Sequence, residues 1–382
     1  MDFRRFAYMS WAKRHYFDAE ISLVPSGMAW PTRSTFPLCF EGDASFEPYR
    51  EVGFDDPGGL HEAIARAYGF DQGGIVAALG STQTYELAYC TLLEPGDEVL
   101  IERPGYEVFD CFASIRGHAS RSFERDPDAD FDLDVAKIVE ALRPETKLVV
   151  LTSVHNPSGR LASEATLHEL GEACERFGIH ALVSEGYLDF VDGTTVPLGG
   201  GAKTRRFAHE VHPRLLSTNS MTKVYGLGSL RCGWIATSPE LAAPMREARE
   251  ILCPLLPALP VAVAIAALED PGLLLERARS RAREQRPLLH EALDAAAHLR
   301  LVPPQAGIMA SVEVLDANGE RTASEPFADY LRREHGVGVV PGEHFDAPGF
   351  LRVGYGGDGQ ALREGLARLV TASDAWARSA HA

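Results

Sequence analysis

The chain contains, near its middle, the stretch Ser217-Thr-Asn-Ser-Met-Thr-Lys-Val-Tyr-Gly-Leu-Gly-Ser-Leu-Arg-Cys-Gly-Trp234. Lys223 stands here on a short polar run, between an apolar strand at residues 215–216 and a loop broken by glycines, and Arg231 follows eight residues later. A lysine amine forms a Schiff base with an aldehyde, and hydroxyl residues before it with an arginine after it make a cradle for phosphate. A solvated loop lysine followed by a structural arginine is the alternative interpretation.

Aldehyde and phosphate together describe pyridoxal 5′-phosphate (PLP). The whole run resembles the S-x-[ST]-K…G-x-x-G-[LI]-R-x-G-[WY] signature of the class I/II, fold type I, PLP-dependent aminotransferases. This resemblance implies that Ser220, Thr222 and Arg231 bind the phosphate of the cofactor. It also implies that Lys223 is the catalytic residue, which carries PLP as a Schiff base and, once freed, moves the Cα proton of the substrate.

The composition narrows the classes of partner. A net charge of −17 argues against nucleic acid and anionic membrane surfaces, so anionic ligands must be bound by a few placed arginines, helix N-termini and loops. The six cysteines are scattered without a C-x-x-C pair, which is typical of reduced thiols, and we predict no metal site. We expect neither a signal peptide nor a span through a bilayer, and therefore a cytoplasmic protein.

A second phosphate-binding element is predicted upstream. Residues 75–79 form a short apolar strand, and a helix begins at Gly80 with Ser81 and Thr82 in its first turn. A helix N-terminus offers free N–H groups and the positive end of its dipole to phosphate. Plain capping of the helix by either hydroxyl is the alternative. The segment resembles the G-x-T-x-A phosphate loop of the family, which implies that Ser81 and Thr82 contact the cofactor.

Two further motifs follow the next strands. Tyr106, after a Pro-Gly pair, matches the family aromatic whose ring stacks on the pyridine of PLP, and an ordinary buried tyrosine is the alternative. Residues 147–153 form a near-continuous apolar strand, typical of a parallel sheet covered on both faces. The loop after it resembles the family motif N-P-[TS]-G, whose asparagine bonds the 3′ oxygen of the cofactor close to the substrate carboxylate. The resemblance gives this role to Asn156, with a simple turn as the alternative.

The strand at residues 178–183 ends in a departure from the family pattern. The family has D-x-x-Y here, in which the aspartate bonds the pyridine nitrogen and the tyrosine bonds the 3′ oxygen. Tyr187 keeps the second role, but Ser184 takes the first position. An aspartate keeps the ring nitrogen protonated and strengthens the electron sink of amino transfer, whereas a serine cannot balance that charge. Glu185 is another source of charge, but strand alternation sends it to the opposite face.

Three more positions bear on the substrate and on assembly. Gly27, in an extended proline-rich arm, is expected near the substrate by resemblance. Arg352 matches the arginine that pairs with both oxygens of the substrate α-carboxylate, although spacing alone leaves open whether it points into a cleft or into solvent. Phe54 replaces the tyrosine that, in the family, reaches the PLP phosphate of the neighbouring subunit. The missing hydroxyl puts that cross-subunit contact in doubt.

Hydrophobic periodicity adds further elements. Helices are predicted at residues 6–17, 165–177, 239–248 and 272–297, and strands at residues 310–315, 338–340 and 349–355. Residues 251–268 are a proline-rich apolar segment without an assigned element. Residues 371–382 are predicted to be a frayed helix end.

The resemblance extends over residues 54–355 and implies an α/β protein of fold type I. We expect an N-terminal arm with part of the small domain at residues 1–48, and a large PLP-binding domain at residues 49–280. The large domain is expected to hold a mostly parallel, seven-stranded sheet between helices, and a smaller α/β domain follows at residues 281–382. A length of 382 residues agrees with two domains. Active sites of this fold form between two subunits, so a homodimer is expected.

The expected function is that of an enzyme acting on an α-amino acid, by amino transfer or, as Ser184 favours, by β/γ-elimination, replacement or cyclisation. A weaker similarity, in the Asn156 loop, around Arg231 and at residues 336–345, to capreomycidine synthase-like enzymes of specialised metabolism suggests an arginine-derived substrate. The alternative from another class is a non-catalytic, PLP-binding regulator or scaffold. Against it, Lys223 and Arg231 are both present.

Overall fold

The structure, a computed structural model, describes residues 4–32, 35–36, 59–197 and 200–379. Phe54 lies outside the described residues, and its role stays a prediction. The helices are α1 (Ala7–His15), α2 (Leu60–Tyr68), α3 (Gly80–Leu92), α4 (Val108–Arg116), α5 (Val135–Ala141), α6 (Glu164–Phe177), α7 (Ala208–Val211), α8 (Pro239–Leu252), α9 (Ala258–Glu269), α10 (Gly272–Leu293), α11 (Ser324–His335) and α12 (Gly359–Ser379). The strands are β1 (Ile21–Ser22), β2 (Ile75–Ala78), β3 (Glu98–Arg103), β4 (Ala119–Glu124), β5 (Thr146–Thr152), β6 (His180–Ser184), β7 (Leu215–Ser220), β8 (Gly233–Ala236), β9 (Leu299–Leu301), β10 (Met309–Val314), β11 (Val337–Gly338), β12 (Val340–Pro341) and β13 (Phe350–Gly354).

The larger sheet has, in the described part of the chain, seven strands in the order β2-β8-β7-β6-β5-β3-β4. The run from β4 through β3, β5 and β6 to β7 is parallel throughout, and β8 is antiparallel to both of its neighbours, β2 and β7. The mostly parallel, seven-stranded sheet predicted from the sequence is confirmed. The carboxyl ends of the parallel strands meet at one edge of the sheet, which is where open α/β sheets bind their ligands.

Helices cover both faces of this sheet because its central strands are apolar on both sides. Leu148 and Val150 of β5 pack with α3, α4 and α8, whereas the alternate residues Val149 and Leu151 pack with α5, α6 and α7. Apart from the half-buried Lys147, every residue of β5 is buried. Burial on both faces is what a parallel sheet between two layers of helices requires.

A second, smaller sheet is formed by the later part of the chain. Four antiparallel strands follow the order β12-β13-β10-β9, with α11 packed on β13 and α12 packed on α10 and α11. β1, from the N-terminal arm, pairs in parallel with β11 and so joins the arm to this later part. The domain boundary expected at residue 280 falls inside α10, and the division into domains stays a prediction.

The proline-rich segment is a helix. Residues 258–269 form α9, to which the sequence analysis assigns no element. Pro257 lies just before the helix and Pro260 lies in its first turn, where a backbone N–H has no partner within the helix anyway. The prolines therefore mark the start of a helix, and sequence reasoning missed the element because they mask its periodicity.

The prediction of a frayed C-terminal end is wrong for the residues that the structure describes. α12 continues to Ser379. The ring of Trp376 lies 5.3 Å from that of Tyr330 and 5.9 Å from that of Phe327, measured between centroids. Contacts with α11 thus anchor the last turns of α12, which local periodicity cannot show.

Two further features concern the cysteines and the lengths of the helices. The cysteines that the structure describes are free thiols: Cys90, Cys111, Cys174, Cys232 and Cys253. Over the described ranges, no one helix combines the length and the apolar composition that a membrane crossing needs. α9 and α10, which meet at a bend of 75°, pass that test by length and composition only when taken together.

Candidate active site

The carboxyl ends of β5, β6 and β7 open into a cavity of about 460 Å³. Thr152, Ser184 and Ser220, the last residues of these strands, line it. The cavity lining also includes every site residue expected from the sequence: Gly27, Ser81, Thr82, Tyr106, Asn156, Ser184, Tyr187, Ser220, Thr222, Lys223, Arg231 and Arg352. The structure therefore brings these residues together, while their individual roles remain predictions.

The described ranges also contain a surface depression and a cluster of possible metal ligands. One is a shallow depression of about 660 Å³ along α10, which none of the predicted residues line. The other is a cluster of Glu172, Glu175 and His212 with ligand atoms close enough to hold a metal ion; this candidate site is empty. His212 Nδ1 accepts the N–H of Arg214, so in the neutral ring Nε2 carries the proton and faces the two carboxylates at 3.5 Å as a donor.

Lys223 follows β7 and lies half-buried in the cavity wall. Its Nζ donates a hydrogen bond to Ser26 Oγ at 3.4 Å and lies 5.3 Å from the centre of the Tyr187 ring. The same Ser26 Oγ accepts the Tyr187 hydroxyl at 3.0 Å. A Cβ added at Gly27 would lie 3.5 Å from the Cα and 3.6 Å from the Cδ of Lys223. The arm at residues 26–28 is therefore packed directly on the lysine.

Lys223 and Tyr187 shift each other's protonation. Burial on its own lowers the pKa of Lys223, but the neighbouring phenols of Tyr187 and Tyr8 outweigh it, and the pKa is raised. Burial on its own raises the pKa of Tyr187, but the charges of Lys223 and Arg352 outweigh it, and the pKa is lowered. Opposite charges favour their ionised forms when they are close. Each group therefore makes the charged form of the other more favourable.

The predicted phosphate ligands converge from two parts of the larger sheet. They are first-turn residues of α3, the last residue of β7 and residues in the loop between β7 and β8: Ser81, Thr82, Ser220, Thr222 and Arg231. The guanidinium of Arg231 lies so close to the start of α3 that a Cβ added at Gly80 would clash with it. Leu79, before the helix, has no polar side chain that caps its first N–H groups. A helix N-terminus with hydroxyls and a guanidinium is a donor set that fits a phosphate.

Ser184 is paired with a residue that sequence reasoning missed. Its Oγ lies 2.8 Å from the hydroxyl of Tyr85, which also lines the cavity. The signal was available, since Tyr85 follows Ser81 by four residues and therefore lies on the same face of α3. Glu185 lies on the opposite face, as strand alternation predicts, and its carboxylate accepts the N–H of Ala208 at 3.1 Å. Among the described residues that line the cavity, none is an aspartate or a glutamate.

Arg352, on β13, points into the cavity and not into solvent. Its side chain is buried, at 1% exposure. Nη1 donates to Asn156 Oδ1 at 3.1 Å, and Nη2 donates to the Tyr8 hydroxyl at 2.8 Å and to the Val24 carbonyl oxygen at 3.1 Å. Nε is buried and has no hydrogen-bond partner. Neutral acceptors alone hold this cation, which suits a carboxylate as a ligand.

The N-terminal helix α1 and the segment just after it contribute cavity residues that belong to no recognised sequence motif. Tyr8 and Met9 of α1, and Tyr16 just after it, line the cavity. Their placement follows from contacts distant in sequence, such as the bond from the Tyr8 N–H to Glu107 Oε2 at 2.9 Å. Thr152, the last residue of β5, was also missed, although its place at a strand end was a usable signal.

Comparison with known proteins agrees with the geometry. The sequence profile of the family described as "Aminotransferase class I and II" matches residues 56–369. The chain is similar to arginine–pyruvate transaminase of Pseudomonas aeruginosa, with 29% identity over 304 residues that cover 78% of this chain and 73% of the relative. It is also similar to capreomycidine synthase of Streptomyces vinaceus, with 27% identity over 385 residues that cover 94% of this chain and 91% of the relative.

The fold has solved counterparts. It is similar to that of a PLP-dependent aminotransferase from Streptococcus suis, with a TM-score of 0.83, 22% identity, and coverage of 98% of this chain and 99% of that one. These relatives are named as enzymes, which leaves the alternative of a non-catalytic regulator without support. The chain therefore belongs to the aminotransferase class I and II family and is a PLP-dependent enzyme with the fold type I architecture.

Proposed function

We propose that the protein binds an α-amino acid by its carboxylate at Arg352 and transforms it on PLP held at Lys223. The observation that carries this proposal is the state of Arg352. Its guanidinium is buried, pairs with no carboxylate in the described part of the chain, and keeps one N–H without a partner. A buried cation held by neutral acceptors needs an anion, and the α-carboxylate of an amino acid supplies one.

The reaction uses the chain's own groups around a cofactor that supplies the electron sink when bound. Lys223 would hold the aldehyde of the cofactor through its amine, and the same amine would serve as the base for the Cα proton of the substrate. The hydroxyl of Tyr187 and the amine of Lys223 both donate to Ser26 Oγ, and this shared acceptor holds the two groups together in the cavity. The donors at the start of α3 and around Arg231 hold the phosphate.

The Ser184–Tyr85 pair bears on the type of reaction. Two neutral hydroxyls can hydrogen-bond the ring nitrogen that the resemblance places at Ser184, but they cannot balance a positive charge there. Glu185 does not supply that charge, because it faces away from the cavity. We therefore propose elimination, replacement or cyclisation at the side chain of the substrate in preference to complete amino transfer.

An arginine-derived substrate is the one to test first. Its support is the similarity to two relatives, one named arginine–pyruvate transaminase and the other capreomycidine synthase.

In the described lining of the cavity the charged side chains are cations, namely Lys223, Arg231 and Arg352. A guanidinium on the substrate therefore finds no carboxylate partner in that lining. Neutral amino acids are accordingly the second class of substrate to test.

The homodimer also remains a proposal, and an exposed apolar surface supports it. At the junction of α8 and α9, Ile251 is 86% exposed, Leu255 is 50% exposed and Leu259 is 46% exposed. Contiguous exposed apolar patches mark interaction sites. A second copy of the chain is the partner we propose. The cytoplasmic location stays a prediction from the scattered cysteines.

One experiment separates the reaction types. The absorbance of the PLP-loaded protein is followed while amino acids are added one at a time, including arginine, hydroxylated arginines and neutral amino acids, and products are identified by mass. Return of the starting spectrum with a dehydrated or cyclised product supports the proposal. Accumulation of the amine form of the cofactor together with a keto acid would show that amino transfer proceeds despite Ser184.

A further inference from the structure

A buried ion pair lies behind the cavity. Glu102, on β3, is fully buried, and Arg125, directly after β4, is 2% exposed. Arg125 Nε lies 2.9 Å from Glu102 Oε2, and its Nη2 lies 2.7 Å from the same oxygen. Arg125 Nη2 also donates to the carbonyl oxygen of Thr152 at 3.0 Å. The pair therefore touches the last residue of β5, which lines the cavity.

The other carboxylate oxygen fixes the side chain of Thr152. Glu102 Oε1 accepts the backbone N–H of Thr152 at 2.7 Å and its hydroxyl at 2.6 Å. An ionised carboxylate only accepts, so the hydroxyl proton of Thr152 must point to Glu102. The lone pairs of that hydroxyl are then free to accept the backbone N–H of Asn156 at 3.1 Å. Asn156 in turn accepts Arg352 through Oδ1.

In the loop between Thr152 and Asn156, the contacts of the His155 ring allow only one assignment of hydrogen-bond donors and acceptors. His155 Nε2 lies 2.9 Å from the carbonyl oxygen of Pro104, and its Nδ1 lies 2.6 Å from Ser158 Oγ. A carbonyl only accepts, so Nε2 carries the proton and Ser158 donates to Nδ1. Burial, with the charge of Arg125 nearby, holds the pKa of His155 well below its usual value, so the ring is neutral.

Hydrogen bonds thus link Arg125 through Glu102 and Thr152 to the backbone N–H of Asn156, and the side chain of the same asparagine accepts Arg352. Buried ion pairs add little net stability, because the loss of hydration offsets their attraction. Orientation is a better account of this one, since the carboxylate fixes the Thr152 hydroxyl and leaves its lone pairs for the backbone N–H of Asn156.

We propose that Glu102 and Arg125 are positioning residues, which act through Thr152 to fix Asn156 and the Arg352 guanidinium for the carboxylate of the substrate. This inference rests on the proposed function, in which Arg352 binds that carboxylate. It predicts that the hydroxyl of Thr152, and not its methyl group, sets carboxylate affinity.

The test compares Thr152→Val, which keeps the shape and removes the hydroxyl, with Thr152→Ser, which keeps the hydroxyl. The probe is 2-aminoisobutyrate, an α-amino acid without a Cα hydrogen, titrated into PLP-loaded protein while absorbance is followed. We expect the dissociation constant of the probe to rise roughly tenfold in the valine variant and to return close to the wild-type value in the serine variant. The affinity for PLP and the melting temperature of both variants are measured in parallel, and the proposal requires that probe affinity falls by a larger factor than PLP affinity.

Equal affinity of the probe in wild type, Thr152→Val and Thr152→Ser would overturn the proposal. A double-mutant cycle with Glu102→Gln tests the first step of the series. If Glu102 acts through Thr152, adding Glu102→Gln to Thr152→Val weakens probe binding no further, whereas independent effects multiply and contradict the inference. Arg352→Gln separates the two claims. If it leaves probe affinity unchanged, the carboxylate site itself is misplaced and the proposed function fails with it.

Discussion

The hydroxyls of Tyr85 and Ser184 lie 2.8 Å apart in the cavity wall, where α3 meets the end of β6. Each hydroxyl is both a donor and an acceptor, so one proton lies between the two oxygens and the other is free to point into the cavity. The pair can therefore offer a donor to a neutral ring nitrogen without carrying charge. The reaction type depends on this neutrality, and it is open to a direct test.

Replacing Ser184 with aspartate should move the enzyme toward amino transfer. A carboxylate at this position raises the pKa of a ring nitrogen beside it by about one to three units, because opposite charges stabilise each other. We expect faster formation of keto acid and a stronger long-wavelength absorbance band, with less elimination or cyclisation product. Ser184→Asn, which is similar in size and uncharged, is the matched control and should not show the change. An unchanged spectrum in the aspartate variant would contradict the placement of Ser184 at the ring nitrogen.

Lys223→Ala should abolish covalent attachment of the cofactor. Treatment of the wild-type protein with borohydride should fix PLP to a peptide that contains Lys223, and the variant should release it. Turnover should fall by at least about a hundredfold, because the general base is lost with the amine. Lys147→Ala is the control, since Lys147 lies in the β5 strand and donates to the Pro144 carbonyl oxygen. A reducible chromophore that survives in Lys223→Ala would contradict the assignment of Lys223 as the residue that binds the cofactor covalently.

Arg352→Lys tests the carboxylate site. A lysine keeps the charge but cannot pair with both oxygens of a carboxylate, so the KM for the amino acid should rise about ten- to a hundredfold while kcat changes less. The exposed Arg363→Lys, at an ion pair with Glu291, is the control and should leave KM unchanged. A loss confined to kcat would mean that Arg352 serves the chemical step and not binding.

Glu185 should make stability depend on pH. Burial raises the pKa of this carboxyl from 4.5 to about 8. The folded state then binds the proton more tightly than the unfolded state, so the contribution of Glu185 to stability is complete below pH 4.5 and is lost as the pH rises toward about 8, by on the order of a few kcal/mol in total. Urea unfolding across this window should show the fall in wild type and a flatter profile in Glu185→Gln. Parallel profiles for the two proteins would mean that Glu185 is not the group responsible.

The proposed dimer surface predicts a change of assembly state. Leu255→Glu places a charge among the exposed apolar side chains at the α8–α9 junction, and a second copy should then bind less tightly. Light scattering after size-exclusion chromatography should show a dimer for wild type and a monomer, or a faster exchange, for the variant. Phe177→Glu, at an exposed apolar residue of α6, is the control. A wild-type protein that runs as a monomer at all concentrations would remove the proposal.

Sequence reasoning located most of the cavity because its motifs coincide with strand ends. Thr152, Ser184 and Ser220 end neighbouring parallel strands, and the loops that follow them carry Asn156 and Lys223. Parallel strands bring their carboxyl ends to one edge, where the motifs that resemble the family stand, so the resemblance assembled these residues apart from Thr152, which was missed. The mostly parallel sheet followed from the same signals.

Other residues could not be placed from the sequence, because tertiary contacts alone position them. Arg352 lies on a strand whose residues are all buried, so alternation does not say which face carries the ligand. Tyr8 reaches the cavity because α1 is bound to Glu107, which is distant in sequence. The Tyr85 hydroxyl is functional only through its contact with Ser184, and no motif describes that pair.

The N-terminal arm contacts both Lys223 and Arg352, which its sequence alone does not indicate. Its Val24 carbonyl oxygen accepts Arg352, its Ser26 hydroxyl accepts Lys223, and its Met28 N–H donates to the Lys223 carbonyl oxygen at 2.8 Å. The arm therefore sets the distance between the Lys223 amine and the Arg352 guanidinium. One residue inserted between Val24 and Ser26 would displace one end by roughly 3.3 Å, more than a hydrogen bond tolerates. The length of this stretch of main chain, and not only its side chains, therefore helps to decide which spacing of amine and carboxylate the enzyme accepts.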